Sequence, residues 1–492
     1  MVFNSFHFVV FFAIVLALCA MLARRVAARN VMLLAASYYF YGCWDWRFLG
    51  LIIASTGIDY VCGRLLDDGA DEPAPSPRRR MILIVSLLSN LGILGFFKYF
   101  DFFGARATEM LNNLGLEAHP ATMGIILPVG ISFYTFQTLS YTIDVYRGRL
   151  GAEKSLLNFA VFVAFFPQLV AGPIERAANF LPQVRQPSAV TWDRLSSGFY
   201  LIGWGLFKKV VLADNMAGVA DEVFAAHDAS AARVMLGVYA FAIQIYCDFS
   251  GYSDIARGAA RCMGFDLMLN FNLPYFAVNP SDFWRRWHIS LSSWLRDYLY
   301  IPLGGNRGGA ASTYRNLMLT MILGGLWHGA AWTFIAWGAL HGTLLCAHKA
   351  LQPRLAQWFG WMDLSTGAVA EPTAGQRAID AGWYWLRGIV FFHLVCIGWL
   401  LFRAESMTQA AGMLTALVTD FSLAGMGGQR VMHVLLAGGV LLAVQLVQLS
   451  RRDLNAVLRL PVPVRAAVYA GGMLAFMFFG EYGGHAFIYF QF

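Results

Sequence analysis

Long apolar runs separated by short polar segments dominate this 492-residue chain. A helix needs about 20 apolar residues to cross the hydrocarbon core of a bilayer, and by that criterion we expect about eleven crossings. The candidate spans are 6–23, 31–43, 47–63, 81–97, 123–143, 155–171, 197–213, 231–247, 316–348, 382–402, 431–449 and 466–480. The run over 316–348 is long enough to be broken, and several runs are short, which favours re-entrant or half-length helices. Residues 1–492 are predicted to form a single all-α membrane domain.

Composition supports this prediction. Hydrophobic residues make up 58% of the chain and charged residues only 13%, whereas a soluble domain carries roughly 25% charged residues. A soluble fold, a disordered chain and a secreted disulfide scaffold are therefore excluded. The seven cysteines are scattered, mostly in apolar runs, with no C-x-x-C pair, so neither a disulfide framework nor a metal site is predicted.

The net charge of +7 comes from 36 basic and 29 acidic side chains. No nucleic-acid-reading pattern accompanies it, so we assign the excess to cytoplasmic loops under the positive-inside rule. Arg24, Arg25 and Arg29 follow the first span, and Arg451 and Arg452 lie between the last two. The sequence thus predicts a multi-pass protein of the cell inner membrane with both termini in the periplasm.

The segment from Asp282 to Pro302 is predicted to be one amphipathic helix. On a helical wheel with Trp284 placed at 0°, an aromatic and apolar face that includes Trp287 and Trp294 spans an arc of about 100°. Arg285 lies beside this face. His288 falls between the two faces. It is either an interfacial histidine with a wet ring or a histidine at the mouth of a cavity.

A second histidine lies deep in an uncharged run. No Asp, Glu, Lys or Arg occurs between Arg315 and Lys349, and His328 lies roughly 20 Å along a helix from Arg315. Glycines on both sides permit a break in the helix. We predict a functional role for His328 as a general base, because imidazole changes charge near neutral pH. We interpret His341 instead as a core histidine whose ring nitrogens are satisfied.

A polar cluster at 244–254 contains two carboxylates. Asp248 and Asp254 either orient a histidine or bind a cation, or else cap the helix that continues through Arg257. Nucleophile-elbow, P-loop, dinucleotide and zinc-protease patterns are absent. The sequence therefore shows no machinery for covalent serine catalysis or nucleotide hydrolysis.

Several stretches, in order along nearly the whole chain, resemble the membrane-bound O-acyltransferases, in the bacterial branch that includes the alginate O-acetylation membrane protein. They are PVGISFYTFQT from Pro128, FPQLVAGPIE from Phe166, DFSGYSD from Asp248, NFNLPY from Asn270, FWRRWHISLSSWLRDYLYIPLGGNR from Phe283, GLWHG from Gly325 and FIYFQF from Phe487.

This resemblance implies a ring of transmembrane helices around a central funnel. It also implies that His328 is catalytic and that His288 is the second functional position. Relatives move an acyl group from a cytoplasmic thioester to a hydroxyl at or beyond the other face. Here the expected group is acetyl, the donor acetyl-CoA and the final acceptor an exported polysaccharide such as alginate. We also expect a periplasmic acetyltransferase partner and no resident cofactor.

In the mechanism we expect, neutral His328 takes the hydroxyl proton, while His288 or backbone N–H groups stabilise the developing charge. Predicted donor or substrate contacts, besides the two histidines, are Arg285, Arg286, Trp287, Asp248, Asn270 and Trp327. The arginines, with Arg296 and Arg307, either attract the donor's phosphates or simply anchor the chain on the cytoplasmic side.

Two alternatives stay open from the sequence. A proton-coupled transporter or channel would use a buried histidine as a relay, although the paired acids and inverted repeat of many such folds are missing. A D-alanyl transferase of the same family would take its cargo from a carrier-protein thioester.

Overall fold

The computed structural model describes residues 1–67, 76–119, 123–169, 172–226, 230–359, 374–423, 426–481 and 487–488, with backbone alone for 355–359 and 374–380. The chain is 79% helical, and its described part contains no β-strand, which confirms the all-α prediction. The predicted polar connector from Met362 to Asp380 and most of the ending motif from Phe487 lie outside these residues or have only backbone described.

The helices are, in chain order, α1 (Phe6–Leu22), α2 (Val26–Asp45), α3 (Leu49–Asp67), α4 (Pro77–Asn113), α5 (Ile131–Tyr146), α6 (Leu156–Ala164), α7 (Phe166–Leu169), α8 (Ala177–Arg185), α9 (Trp192–Leu206), α10 (Asp214–Phe224), α11 (Ala231–Cys262), α12 (Pro280–Arg286), α13 (Ile289–Leu295), α14 (Gly309–His328), α15 (Trp332–Phe359), α16 (Ala374–Arg403), α17 (Met407–Thr419), α18 (Gly428–Arg451) and α19 (Val462–Phe479). They form two compact units. The first holds residues 1–213, 246–269 and 460–492, and the second holds 214–245 and 270–459.

Six stretches in the described chain are long and apolar enough to cross a membrane. They are Val26–Asp67, Pro77–Asn113, Ala231–Cys262, Ala381–Arg403, Gly428–Arg451 and Val462–Phe479. The last of these keeps none of its most apolar window buried, as expected of a surface that faces lipid. The protein is embedded in a membrane, while the number of crossings and the central funnel stay predictions.

Glycines lie at the helix boundaries within two of the predicted spans. The predicted break within 316–348 is confirmed, because α14 ends at His328 and α15 begins at Trp332. The predicted span 123–143 is wrong in its first part, since the helix starts only at Ile131. Gly130 precedes it with a φ of 76°, a left-handed conformation that glycine adopts without steric cost.

The first unit buries a carboxylate among neutral hydrogen-bond donors. Asp59 on α3 accepts from Ser86 Oγ at 2.5 Å, from Asn90 Nδ2 at 2.7 Å and from Thr142 Oγ1 at 2.9 Å. These donors come from α4 and α5, so the network ties three helices together. Burying a carboxylate inside a bilayer is costly. This cost is offset only because each oxygen of Asp59 finds a hydrogen-bond partner within the protein.

The same unit buries two adjacent lysines that we did not single out. Residues 207–213 form a π-helical turn, an irregularity that often marks functional sites. Lys208 Nζ lies 2.7 Å from Asp254 Oδ2, and Lys209 Nζ lies 3.0 Å from Asp248 Oδ1. Our capping alternative for the two aspartates is wrong, because α11 runs through both of them without a break.

In the second unit, α14 and α15 form an antiparallel hairpin. Where the two helices come closest, glycines occupy positions at which a side chain would not fit. A Cβ added to Gly325 would lie 2.2 Å from the carbonyl oxygen of Phe334, and one added to Gly338 would lie 2.4 Å from that of Met321. These backbone atoms cannot move aside as the end of a flexible side chain can. The glycines therefore set the distance between the helix that ends at His328 and the helix that follows it.

Gly325→Ala and Gly338→Ala should each lower the free energy of unfolding by about 1–3 kcal/mol, because the added methyl group meets backbone. Thermal unfolding of the detergent-purified protein measures the effect. Gly472→Ala in α19, where an added Cβ meets nothing within 4 Å, is the matched control. Equal unfolding temperatures for all three variants would contradict this account of the hairpin.

Glu175, in the loop before α8, carries a buried carboxyl group outside the candidate spans. Its Oε1 accepts from the Met268 amide at 2.5 Å, and its Oε2 accepts from the Arg176 amide at 3.2 Å. These hydrogen bonds favour the charged carboxylate and so lower its pKa. Burial has the larger, opposite effect and raises the pKa of Glu175 to about 7. The folded protein therefore holds this proton at pH values where the unfolded chain has released it.

Because the folded pKa is raised, this group makes the protein less stable as the pH rises from the ordinary glutamate pKa towards 7, with no further change well above 7. Glu175→Gln should flatten that part of the stability profile, as seen in unfolding temperatures between pH 5 and pH 8. Exposed Glu109→Gln is the control. A profile that keeps the wild-type slope in Glu175→Gln would assign the pH dependence to another group.

Candidate active site

His328 occupies the last position of α14, where the helix gives way to extended backbone at Gly329. Its side chain is 4% exposed. The ring is walled by aromatic side chains, with centroids 4.9 Å from Trp327, 5.0 Å from Trp337 and 5.2 Å from Phe402. The predicted break of the helix at this histidine is therefore confirmed, and its predicted depth in the bilayer stays a prediction.

His288 lies at a sharp break rather than within a helix. Our prediction of one continuous amphipathic helix from Asp282 to Pro302 is wrong, because α12 ends at Arg286 and α13 begins at Ile289. The physical reason is the backbone of His288, whose φ of 42° is left-handed and cannot continue a right-handed helix. Among described residues only Leu273 and Arg452 share this feature without being glycine. Such strain is concentrated at functional sites.

The break places the fully buried His288 against Asn270. The ring Nδ1 lies 3.1 Å from Asn270 Oδ1, and the same oxygen accepts from Ser290 Oγ at 2.9 Å and from the Ser290 amide at 3.3 Å. A backbone N–H can only donate, so the Asn270 atom it meets is the oxygen. Nδ1 therefore carries the proton and donates it to Asn270, which leaves the lone pair of the neutral ring at Nε2.

The ring of Trp327 packs close to both histidines, so the three rings form one aromatic wall. The centroid of the Trp327 ring lies 6.0 Å from that of His288 and 4.9 Å from that of His328. The structure thus brings together four of the predicted site residues: His288, Asn270, Trp327 and His328. An aromatic wall with two imidazoles excludes water and offers proton acceptors, which suits proton transfer in a desolvated site.

The remaining predicted contacts, Arg285 and Arg286 on α12 and Trp287 directly after it, lie in different environments. Trp287 is 2% exposed and packs against Trp399 at 4.7 Å. Arg286 pairs with Asp282 at 2.8 Å, whereas Arg285 is exposed. Anion binding by these arginines stays a prediction.

Asp248 belongs to the first unit, whereas the residues just described belong to the second. It pairs with Lys209, and its Oδ2 accepts from the amide of Ile488 at 2.7 Å. These contacts fix α11 to the π-helical turn and to the end of the described chain. A binding role for Asp248 stays a prediction.

Two residues of the site escaped the sequence analysis. Ser290, two positions after His288, completes the hydrogen bonds to Asn270, and Trp337 on α15 packs against His328. The spacing of Trp337 from His328 gives no helical signal because the helix breaks between them. Among described residues no group of three or more His, Cys, Asp or Glu side chains is placed to hold a metal ion.

The chain matches known proteins over most of its length. The family model for the membrane-bound O-acyltransferases matches residues 146–370. The probable alginate O-acetylase AlgI of Azotobacter vinelandii is 44% identical over 389 residues, which cover 79% of this chain and 72% of that protein. The peptidoglycan O-acetyltransferase of Helicobacter pylori is 35% identical over an alignment that covers 82% of this chain and 75% of that protein. The teichoic acid D-alanyltransferase of Bacillus subtilis is 27% identical, covering 59% and 72%.

Asn270→Ala should release His288 from the Nδ1–H tautomer, because the hydrogen-bond acceptor that holds the proton there is removed. Nitrogen NMR of histidine-labelled protein distinguishes the two tautomers, and His288→Ala identifies the signal. The exposed His433 is an internal control that should not change. An unaltered His288 signal in Asn270→Ala would show that another group sets the tautomer.

Proposed function

Because the chain belongs to the membrane-bound O-acyltransferase family, we propose that it moves an acetyl group from cytoplasmic acetyl-CoA across the inner membrane for O-acetylation of an exported polysaccharide such as alginate. The names of the relatives support acetyl as the cargo, since the alginate O-acetylase is 44% identical and the D-alanyltransferase 27%. The observation that carries the proposal is the single aromatic wall in which Trp327 lies close to both His288 and His328.

In the proposed reaction, His328 takes the proton of the acceptor hydroxyl as its oxygen attacks the thioester carbonyl. The C–S bond then breaks, and the proton passes from the imidazole to the departing sulfur. One imidazole therefore serves as base and acid, and no net proton is gained or lost. The surrounding aromatic rings limit water, so hydrolysis of the thioester is disfavoured.

The geometry changes the role we expect for His288. With its proton on Nδ1 and directed to Asn270, the neutral ring presents an acceptor at Nε2 and cannot donate there to an oxyanion. We therefore assign His288 to orienting the attacking hydroxyl. The indole N–H of Trp327, a donor-only group in the same wall, is better suited to stabilise the oxyanion.

The membrane orientation and the partners follow from the same proposal. The exposed Arg285 and Arg307 are suited to attract the phosphates of acetyl-CoA on the cytoplasmic side. Both termini then lie in the periplasm, where we propose that a partner acetyltransferase receives the acetyl group or completes its transfer to the polymer.

His328→Ala and His288→Ala should each reduce acetyl transfer at least about a hundredfold, the contribution typical of a positioned proton acceptor. Acetyl content of the exported polymer and acetyl-CoA consumption by inverted membrane vesicles are the two measurements. Immunoblots of the membrane fraction check that the variants accumulate normally.

His433→Ala, an exposed histidine on α18, is the matched control and should keep wild-type transfer. Wild-type acetylation by His328→Ala would remove that residue from the mechanism. Wild-type vesicles that consume no acetyl-CoA, although the polymer is acetylated in their cells, would overturn the assignment of the donor.

A further inference from the structure

An apolar groove runs between α3 and α4 on the surface of the first unit. It has a volume of about 460 Å³ and is lined by Gly57, Ile58, Val61, Cys62 and Leu65 on α3 and by Met81, Ile82 and Val85 on α4. Val61, Met81 and Val85 are each more than half exposed. Both helices belong to stretches that are long and apolar enough to cross a membrane, so this groove faces lipid.

Hydrogen bonds behind the groove fix the alignment of the two helices. Asp59 on α3 accepts from Ser86 on α4, and Ser55, one turn earlier on α3, donates to Asn90, one turn later on α4. The helices therefore run antiparallel, and the last turn of α3 lies beside the first turn of α4. The basic residues of these two turns consequently lie at the same end of the groove.

Arg78 lies on the face of α4 that lines the groove. It precedes the lining residues Met81, Ile82 and Val85 by three, four and seven positions, a spacing that keeps side chains on one face of a helix. Arg80 comes two positions after Arg78, and at about 100° per residue it lies on the opposite side of α4. Both arginines are exposed, but only Arg78 continues the groove.

Arg64 lies at the same end of the groove, on α3. It follows Gly57 by seven positions and Val61 by three, so it borders the lining face of that helix. The alignment with α4 separates the levels of Arg64 and Arg78 by about 5 Å, at a rise of 1.5 Å per residue. Neither arginine forms an ion pair with a residue that the structure describes. Two guanidinium groups thus stand at one end of an apolar groove.

The groove has the depth of one leaflet of a bilayer. From Arg78 to Val85 the helix rises about 10 Å, whereas half of the hydrocarbon core is about 15 Å thick. The positive-inside rule assigns the end with the arginines to the cytoplasmic surface. An acyl chain whose headgroup lies beside the arginines therefore fits the groove within the cytoplasmic leaflet.

We propose that this groove binds one anionic phospholipid of the cytoplasmic leaflet. An acyl chain packs against the apolar lining, and the headgroup phosphate lies between Arg64 and Arg78. Guanidinium groups match phosphate oxygens in charge and in hydrogen-bond geometry. A zwitterionic lipid also has a phosphate, but its ammonium group brings a positive charge close to the arginines. The pair of arginines therefore selects an anionic headgroup.

Native mass spectrometry of the full-length, detergent-purified protein tests this site. The protein is mixed with equal amounts of phosphatidylglycerol and phosphatidylcholine that carry the same acyl chains. We expect the wild type to retain one phosphatidylglycerol in preference to phosphatidylcholine. Arg64→Ala and Arg78→Ala should each weaken this preference about fivefold, the factor expected for one basic side chain near an anionic membrane surface.

Arg80→Ala is the matched control for charge. It removes the same charge from the same turn of α4 but on the face away from the groove, so it should keep the wild-type preference. Inorganic phosphate at the concentration of the lipid should not displace phosphatidylglycerol from the wild type, because it has no acyl chain to pack in the groove. Displacement by phosphate alone would assign the arginines to a free anion and overturn the lipid site.

Gly57→Phe tests the acyl chain while both arginines remain. A Cβ at Gly57 meets nothing within 4 Å, so the ring can enter the groove without displacing protein, and the bound phosphatidylglycerol should be lost. Gly471→Phe on α19, where an added Cβ also meets nothing within 4 Å, is its control and should retain the lipid. Retention of the lipid by Gly57→Phe would place it outside the groove.

An equal lipid preference in Arg64→Ala, Arg78→Ala and Arg80→Ala would reduce the effect to overall charge and overturn the site. Unfolding temperatures in phosphatidylcholine vesicles check that each variant folds. A complex of two chains in place of the lipid-bound chain would assign the groove to a second copy of the protein.

The segment between α3 and α4 contains the acidic residues Asp68, Asp71 and Glu72, which supply the competing explanation for the arginines. Arg64→Ala and Arg78→Ala variants that are less stable than the wild type in phosphatidylcholine, yet keep its lipid preference, would assign the arginines to these acids. That result would also overturn the lipid site.

Discussion

The constraint on which this structure depends is the scarcity of water around its buried polar groups. Inside a bilayer each such group must find its hydrogen-bond partner in the protein itself, because an unsatisfied one costs several kcal/mol. Asp59 meets this demand with neutral donors from two other helices, and Lys209 meets it with Asp248. The same demand fixes the tautomer of His288, whose Nδ1 proton has Asn270 as its acceptor.

Backbone irregularities then determine where the reactive side chains lie. Glycines at 325 and 338 let α14 and α15 approach until backbone meets backbone, and α14 ends at His328. The left-handed φ of His288 interrupts what would otherwise be a continuous helix and turns its imidazole towards Asn270. Both histidines thus occupy the ends of helical segments rather than their middles.

Hydropathy and charge predicted the all-α membrane fold, the break after His328 and the burial of that residue, since all three follow from local composition. The partners could not be predicted, because Asn270 and His288 are 18 positions apart and meet only through the break. A helical wheel assumes regular backbone and therefore failed over Asp282 to Pro302. The buried lysines at 208 and 209 were missed for a related reason, since the carboxylates that neutralise them lie on α11.

His288 and His341 are both fully buried, but only His288 is shown to meet this constraint through a hydrogen bond to a neighbouring residue. The hydrogen bonds of His288 are made by neighbouring residues, so its ring is oriented whether or not a substrate is bound. His341 is enclosed by aromatic rings, and neither of its ring nitrogens has a hydrogen-bond partner among the described residues. Our interpretation of His341 as a satisfied core histidine is therefore wrong. Buried nitrogens without partners make the folded protein less stable than paired ones would. The imidazole that is already oriented by its neighbours, His288, is therefore the one suited to act at the site beside His328.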